Sequence, residues 1–299
     1  MRFRVLTWNC FGMAQGGLDA VLGGRAPAGA RLRDPHVIAE CSAADVVALQ
    51  EILSGDAERL FDQVKESRGA GLRDHNRWHL RSGTARGTGL GLGVRGSVLA
   101  SELQHFSGSS AGWDRLARKG MLHGRVALPD GLELDVVTSH LQSGYEQAPQ
   151  QVRLAQLDQL ARFVERVGSP ERPMLVVGDL NINGLRPHRA EHEYQRLLAA
   201  FPGFEDAGAD SDLVTFHPHP EINPLAHLSD PGAIAQRIDY LLFRPARSPR
   251  RALRCTGVDL VFTSPLEATR EQRFGGVVST RAFASDHFGL GAWFEADDP

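Results

Sequence analysis

Polar side chains of a few chemically useful types follow short apolar segments at several points along the 299-residue chain. Each apolar segment is typical of a buried strand, because it is rich in β-branched and aliphatic residues and too short for a helix. The polar groups are Asn9, Gln50-Glu51, Ser139-His140-Leu141-Gln142, Asp179-Leu180-Asn181 and Ser285-Asp286-His287, and Asp239 begins a further strand. Because rigid scaffolds present reactive groups in loops at strand ends, we expect these residues to form one site.

These residue types supply the three functions that phosphodiester hydrolysis requires. Glu51 and Asn9 offer hard oxygen ligands, which suit Mg²⁺. The imidazoles of His140 and His287 can transfer protons near neutral pH. Three further side chains can hold a nucleophilic water, accept a hydrogen bond from an imidazole or contact a phosphoryl oxygen; they are Asp179, Asn181 and Asp239. The set predicts metal-assisted attack of water on a charged phosphodiester.

Apolar periodicity predicts the elements that must position these residues. Helical spacing is found from Pro35, over Asp56–Lys65, over Pro149–Val167 and over Glu191–Ala200. Strands are predicted at Val5–Trp8, Val46–Leu49, Trp78–Leu80, Gly89–Val94, Val98–Phe106, Met121–Leu128, Leu132–Thr138, Met174–Val177, Ile238–Phe243, Val258–Phe262 and Phe288–Phe294. Pro129-Asp130-Gly131 predicts a hairpin turn. Residues 201–235 form a long irregular segment of a kind that is often functional.

Strands dominate this pattern, and helices are inserted singly, with no linker or low-complexity stretch between them. The pattern predicts one domain over residues 1–299, an α/β fold in which two central sheets lie between outer helices. We therefore expect a four-layer α/β/β/α sandwich, with the site at one edge of the paired sheets.

The composition narrows the range of partners. A formal net charge of −3 gives the chain as a whole no attraction to nucleic acid or anionic lipid. All but two of the 33 basic residues are arginine, which we interpret as a compositional bias; the exceptions are Lys65 and Lys119. The three cysteines, Cys10, Cys41 and Cys255, are far apart and lack metal-ligand spacing, so free thiols are expected.

The ends and apolar runs of the sequence bear on localisation. No apolar run reaches the length of a transmembrane helix. Met1 leads directly into the apolar run Phe3–Trp8, so we expect either a cytoplasmic protein or a secreted one whose leader is absent from this sequence. We also expect a monomer.

Taken in order, the polar segments resemble the endonuclease/exonuclease/phosphatase superfamily, which has the DNase I-like fold. The resemblance covers nearly the whole chain and is carried by Trp8-Asn9, Leu49-Gln50-Glu51, Gly178-Asp179-Leu180-Asn181 and Ser285-Asp286-His287. It implies that Glu51 is the main metal ligand, with Asn9 beside it and Asp286 near the metal. The implied cofactor is Mg²⁺, with Mn²⁺, Co²⁺ or Ca²⁺ as alternatives.

The same resemblance implies roles for the remaining residues. His287 would be the general base that activates water, oriented by Asp239. His140 would donate a hydrogen bond to the phosphate or the leaving group. Asp179 and Asn181 would bind the scissile phosphate and the attacking water.

Finer features resemble the neutral sphingomyelinase branch of this superfamily. They are Ser139-His140-Leu141-Gln142, Arg118-Lys119-Gly120, the helix from Val152-Arg153 to Phe163-Val164, Glu193-Tyr194-Gln195, and Thr215-Phe216 followed by Asn223-Pro224-Leu225. This branch implies hydrolysis of sphingomyelin or a related choline phospholipid to phosphocholine. It also implies substrate contacts from Lys119, Gln142 and Asn223, and an ammonium is a reasonable phosphate contact.

One feature of that branch is not matched. Its secreted bacterial members insert a hairpin with exposed aromatic residues into the bilayer. The corresponding region, residues 262–284, offers only Phe274 between Phe262 and Phe283, and the expected tip, Ala268–Arg273, is charged. We therefore do not expect membrane insertion by this device.

Three other functions are compatible with parts of the pattern. A Mg²⁺-dependent nuclease needs a cationic groove, for which the arginines at 244, 247, 250, 251 and 254, or at 73, 77, 81 and 86, are candidates, although solvated loops explain them as well. A phosphoinositide phosphatase is a poor match, because the order Arg237-Ile238-Asp239 differs from that family's segment. A catalytically inactive binding module would lack at least one residue of the proposed catalytic and metal-binding set, and all five are present: Glu51, His140, Asp179, Asp239 and His287.

Overall fold

The computed structural model describes residues 1–12, 31–67, 69–73, 87–108, 110–112, 114, 118–246, 252–266, 269–273, 276–280 and 283–296. Its strands are β1 (Arg2–Gly12), β2 (Val46–Ile52), β3 (Gly69–Arg73), β4 (Gly91–Arg95), β5 (Ser97–His105), β6 (Gly120–Ala127), β7 (Glu133–His140), β8 (Met174–Asp179), β9 (Glu205–Asp206), β10 (Asp239–Arg244), β11 (Leu253–Val261), β12 (Thr269–Arg273), β13 (Gly276–Thr280) and β14 (Gly289–Ala296). Its helices are α1 (Pro35–Ala43), α2 (Gly55–Glu66), α3 (Gln147–Val167), α4 (His192–Ala200) and α5 (Pro224–Ser229), and a turn of 3-10 helix covers Arg186–His188.

Two six-stranded sheets form the centre of the molecule. The first has the order β11-β14-β1-β2-β4-β3 and the second has the order β5-β6-β7-β8-β10-β9. Each sheet contains one parallel pair, β1 with β2 and β7 with β8, among antiparallel neighbours. The parallel pairs place two neighbouring strand ends side by side in each sheet, and these ends carry the predicted polar segments.

Three apolar clusters define the layers. One cluster contains inward side chains of both sheets, among them Val5, Leu92, Val136 and Leu175. A second joins the first sheet to α1 and α2, and a third joins the second sheet to α3 and α4. The order of layers is therefore helix, sheet, sheet, helix, which confirms the predicted four-layer α/β/β/α sandwich.

Alternation along the strands decides which residues face the space between the sheets. In β8, Leu175 and Val177 belong to the cluster between the sheets, whereas Met174 and Val176 contact the helical layer. Since successive side chains of a strand point to opposite faces, Asp179 continues the inward row. The same alternation places Asn9, His140 and Asp239 on the inward faces of β1, β7 and β10.

Several predicted boundaries differ from the structure. The strands around Arg95-Gly96 do not pair with each other: β4 lies in the first sheet and β5 in the second, and the chain crosses between sheets at Gly96, whose φ is +129°. The irregular segment 201–235 contains β9 and α5. By contrast, the hairpin predicted from Pro129-Asp130-Gly131 is confirmed, because β6 and β7 pair antiparallel across it.

The predicted charged tip at Ala268–Arg273 is wrong. Residues 269–273 form β12, which pairs along its length with β13, so they are one side of a hairpin and not its tip. The connection between the two strands, including Phe274, lies outside the described residues, as does the strand predicted at Trp78–Leu80. No helix in the described part of the chain is long and apolar enough to cross a membrane.

Candidate active site

The strand ends of the two sheets meet at one edge, where the side chain of Asn9 connects them. Asn9, at the end of β1, donates one hydrogen bond from Nδ2 to Glu51 Oε1 and another to Asp179 Oδ2, both at 3.0 Å. Its own Oδ1 accepts from the backbone N–H of Phe11 at 3.1 Å, which fixes the amide orientation. Asn9 therefore joins a carboxylate of the first sheet to one of the second.

Glu51 reaches this cluster through an unusual backbone conformation. It follows Leu49, which faces the helical layer, so ordinary alternation would point Glu51 away from the other sheet. Its φ is +60°, a left-handed value that is rare for a residue with a side chain. Asn181, after β8, has a φ of +54°. Backbone strain of this kind persists where the surrounding structure enforces it, and it is concentrated at functional sites.

Three buried polar side chains support this cluster through hydrogen bonds between strands. The amide of Gln50 donates to Thr7 Oγ1 and Thr138 Oγ1, both at 3.2 Å, and so connects β1 and β2 with β7 of the other sheet. All three side chains are fully buried. Buried polar groups that are satisfied in this way fix the relative position of the elements that carry them.

His287 and Asp239 form a buried pair. His287 Nδ1 lies 2.9 Å from Asp239 Oδ2, and the ring packs on Phe216 with centroids 5.2 Å apart. Burial lowers the pKa of His287, but the charges of Asp239 and Asp179 outweigh it and raise the pKa to about 10. The Asp239 carboxylate fixes the ring orientation and directs Nε2 towards Asp179, whose Oδ2 is 3.8 Å away.

Asp179 lies between two imidazoles. His140 Nε2 is 3.4 Å from Asp179 Oδ2, the same oxygen that lies 3.8 Å from His287 Nε2. Burial and the charge of Lys119 lower the pKa of His140 to about 3, so this imidazole is neutral. Asp179 Oδ1 accepts from the backbone N–H of Asn181 at 3.0 Å, and Asn181 Nδ2 donates to Leu141 O. The structure thus brings together all the residues predicted to act in catalysis.

The acidic side chains fit a divalent cation. Glu51 Oε2 is buried and has no hydrogen-bond partner among the described residues. Burial and repulsion by Asp286 raise the pKa of Glu51 to about 7, and burial also raises the pKa of Asp286. Two such carboxylates are destabilised as a pair without a countercharge, and hard oxygen ligands are what Mg²⁺ and similar ions bind.

A second group of potential ligands is adjacent. Asp179, Asp239 and His287 offer ligand atoms within 4.8 Å of one another. However, His287 already shares a proton with Asp239 through Nδ1, and its raised pKa favours the cation, which cannot ligate a metal. The unpartnered Glu51 oxygen is therefore the better centre for an ion, and the His287 group is suited to handling protons.

The residues predicted to contact substrate are engaged elsewhere. Gln142 Oε1 accepts from Ala111 N, and Nε2 donates to Ala111 O and Ser143 O. Asn223 caps α5 through Oδ1 and donates from Nδ2 to Ser285 O and Asp286 O. Both side chains are buried, and all their polar atoms are used. The predicted substrate contacts of Gln142 and Asn223 are therefore corrected to structural roles.

Lys119 requires a similar correction. Its ammonium donates to Leu141 O at 2.6 Å and pairs with Asp114 at 3.2 Å, and the side chain is 2% exposed. Its charge still reaches the site, since it lowers the pKa of both Glu51 and His140. The lysine thus acts on the site through its positive charge and through its hydrogen bond to the backbone carbonyl of Leu141, which follows His140.

Two supporting residues were not predicted from the sequence. Arg31 is fully buried and donates to Phe11 O and Ala284 O, so it joins the end of β1 to the segment before Ser285. Thr215 Oγ1 accepts from the backbone N–H groups of Ile238 and Asp239. Thr215 lay within a motif quoted for the resemblance, but nothing in the local sequence of Arg31 distinguishes it from other arginines.

The arginine clusters proposed for a nuclease are only partly described. Arg244 donates to Ser169 O and lies over the ring of Phe204, and Arg254 pairs with Glu295 at 3.7 Å. The arginines at 77, 81, 86, 247, 250 and 251 lie outside the described residues, and the side chain of Arg73 is not described. The cationic groove of the nuclease hypothesis stays a prediction.

Comparison with known proteins identifies relatives of this arrangement. The model of the Endonuclease/Exonuclease/phosphatase family matches residues 6–287. No curated protein sequence matches the chain closely enough to count as a relative. Sphingomyelinase C from Streptomyces griseocarneus shares 18% identity, with a TM-score of 0.74 over 100% of both chains. A variant of beta toxin from Staphylococcus aureus with bound magnesium ions shares 16% identity, with a TM-score of 0.74 over 98% of this chain and 99% of that chain.

A further solved structure has a different ligand. D. rerio TDP2 complexed with single strand DNA product shares 19% identity, with a TM-score of 0.65 over 98% of this chain and 99% of that chain. At these identities the likeness shows a common fold, and it confirms the DNase I-like architecture.

Proposed function

We infer that this chain, which belongs to the endonuclease/exonuclease/phosphatase family, is a divalent-metal-dependent phosphodiesterase that hydrolyses sphingomyelin or a related choline phospholipid to phosphocholine. The observation that carries the reaction class is the buried edge where Asn9 links Glu51 to Asp179. On one side of that link is a carboxylate oxygen without a partner among the described residues, and on the other are two imidazoles in different charge states. Similarity to sphingomyelinase C supports the substrate, and similarity to beta toxin with bound magnesium ions supports the metal.

Glu51 would hold the divalent ion, with Asp286 as the second nearby carboxylate and Asn9 positioning Glu51. When bound, the ion supplies positive charge that neutralises the phosphoryl oxygens and polarises the phosphorus centre. Mg²⁺ is the first choice, because the site offers few carboxylates and oxygen atoms only.

His287 is the proposed general base. Asp239 accepts a hydrogen bond from Nδ1–H, so Nε2 is the nitrogen available to the attacking water. In the metal-free protein the nearby carboxylates raise the pKa of His287 and keep the ring charged; part of that negative charge would be offset when Glu51 and Asp286 hold a divalent ion, which would lower this pKa so that Nε2 can take a proton from the water. Asp179 lies beside Nε2 and can accept a hydrogen bond from the same water, and Asn181 N holds its second oxygen in place. The water is therefore oriented by two groups whose positions are fixed by burial.

His140 is the proposed contact to the phosphoryl oxygen or the leaving group. The His140 ring is neutral at physiological pH, so one of its nitrogens can donate a hydrogen bond, and the ring brings no positive charge to the bound substrate. Its position at the end of β7, directly opposite Asp179 in the register of β7 and β8, supports this role.

The test compares four substrates in the presence of Mg²⁺ and of EDTA: sphingomyelin in detergent micelles, lysophosphatidylcholine, plasmid DNA and a soluble inositol phosphate. We expect metal-dependent release of phosphocholine and intact DNA. Hydrolysis of DNA with no release of phosphocholine would contradict the substrate, though not the reaction class.

A nuclease is the second candidate, because D. rerio TDP2 in complex with a DNA product has the same fold over nearly all of this chain. The net charge of −3 is unfavourable for binding the phosphate backbone of a nucleic acid, so a nuclease would need a local cationic patch. Strong salt dependence of DNA cleavage would support this reading.

A further inference from the structure

A cleft of about 900 Å³ lies between the β5–β6 connection and the first half of α3. Among the residues that line it are Phe106, Arg118, Lys119, Gln151, Val152 and Gln156. None of these residues belongs to the group proposed for catalysis or metal binding, so the cleft is distinct from the candidate active site.

The cleft nevertheless shares a wall with that site. Lys119 donates to Leu141 O at 2.6 Å, and Gln156 Oε1 accepts from the backbone N–H of Gln142 at 2.7 Å. Leu141 and Gln142 directly follow His140, and Leu141 O also accepts from Asn181. The backbone that follows His140 is therefore held by two of the residues that line the cleft.

Gln156 provides an unused hydrogen-bond donor to the cleft. The side chain is 4% exposed, and the bond from Gln142 N identifies its oxygen, so the orientation of the amide is determined. Its Nε2 has no hydrogen-bond partner among the described residues. An amide donor that opens into a cavity from an otherwise buried side chain favours a ligand with acceptor oxygens.

Arg118 provides a positive charge. Its exposed guanidinium makes no hydrogen bond or ion pair with the described part of the chain, whereas the neighbouring Lys119 is compensated by Asp114 at 3.2 Å. No aspartate or glutamate is among the described residues that line the cleft. A cation with unused donors beside this cleft suits an oxyanion.

We propose that this cleft is a second binding site, for a phosphate- or sulfate-type oxyanion, with Arg118 and the Gln156 amide as its contacts. The anion is either a phosphomonoester or a phosphodiester, and its assignment as product or substrate rests on the proposed function. Binding itself is measured without turnover, so failure of this proposal is distinguishable from failure of that function.

The test is an NMR titration of the ¹⁵N-labelled full chain with inorganic phosphate. The resonances to follow are the side-chain amide of Gln156 and Nε–H of Arg118. We expect saturable shifts at both, and Arg118→Gln should weaken binding about tenfold or more through loss of a charge-assisted hydrogen bond. Gln156→Glu keeps the oxygen for Gln142 and should abolish binding by repulsion. Arg162→Gln, an exposed arginine on α3 outside the cleft, is the matched control and should leave the affinity unchanged.

Two further probes identify the source of the anion. Tighter binding of phosphocholine than of dimethyl phosphate at the same resonances supports a product site, and the reverse order supports a substrate phosphodiester. The proposal is overturned if the Gln156 amide does not shift with phosphate in the wild-type protein, or if Arg118→Gln binds as tightly as wild type. The backbone amide spectrum of each variant shows whether it is folded.

Discussion

At the scale of single residues, the candidate site depends on charges that oppose one another at short range. Glu51 and Asp286 are two buried carboxylates; burial raises the pKa of both, and the charge of Asp286 raises the pKa of Glu51 further. His287 is held in the charged state by carboxylates, whereas His140 is held neutral by burial and Lys119. The two imidazoles near Asp179 therefore differ in protonation state in the metal-free protein.

The raised pKa of Glu51 predicts how metal binding depends on pH. The protonated carboxyl cannot serve as a ligand, so affinity should rise about tenfold per pH unit up to about pH 7 and then level off. Calorimetric titration with Mg²⁺ between pH 5.5 and 8.5 measures this. Glu51→Gln should weaken binding and remove the pH dependence, and an affinity that is constant from pH 5.5 to 7 would contradict the assignment of Glu51.

The pairing of His287 with Asp239 predicts a second pH effect. Asp239→Asn removes a charge that raises the pKa of His287, so this pKa should fall from about 10 in the metal-free protein. Turnover should fall about 100-fold or more, because the ring loses its orientation. An NMR titration of the His287 ring and a kcat–pH profile check the two effects. Asp158→Asn, which alters an exposed carboxylate on α3 paired with Arg196, is the control and should change neither.

At the scale of elements, the sequence predicts helices, strands and turns best where the residues of the segment itself determine its structure. The Asp130-Gly131 turn specifies the β6–β7 hairpin, and long buried runs specify β1, β2 and β8. Local chemistry does not determine which sheet a strand joins: β4 and β5 follow each other in the sequence and were both predicted as strands, but they lie in different sheets. The two-residue strand β9 and the short helix α5 are too brief for periodicity to reveal.

Gly178 gives a prediction at this scale. Its φ is +139°, and a Cβ added there would overlap the carbonyl oxygen of Ser139, its partner in β7. Gly178→Ala should therefore separate β7 from β8, displace His140 relative to Asp179, and destabilise the fold by about 3 kcal/mol. Urea unfolding measures the loss. Gly257→Ala, at an exposed position where an added Cβ meets nothing, should stay within about 0.5 kcal/mol of wild type. Equal stability of the two variants would contradict this reading.

At the scale of the whole molecule, the order of polar segments was enough to predict both the four-layer sandwich and the group of residues at its edge. The sequence could not show that Asn9 bridges the two sheets or that the positive φ of Glu51 turns its side chain inward, because both depend on how the sheets face each other. For the same reason, the sequence could not show that three residues predicted to contact substrate make supporting contacts within the protein. They are Lys119, Gln142 and Asn223. The single domain and the monomeric state stay predictions.

The central claim is metal-assisted hydrolysis of a phosphodiester with His287 as the base, and hydrolysis of a soluble chromogenic diester, bis(p-nitrophenyl) phosphate, tests it most directly. Wild type and His287→Ala are compared with Mg²⁺ and with EDTA, and thermal unfolding confirms that the variant is folded. We predict Mg²⁺-dependent release of nitrophenol by wild type and a loss of about 100-fold or more in the variant. Equal rates in EDTA and Mg²⁺, or near wild-type turnover by a folded His287→Ala, would contradict the claim.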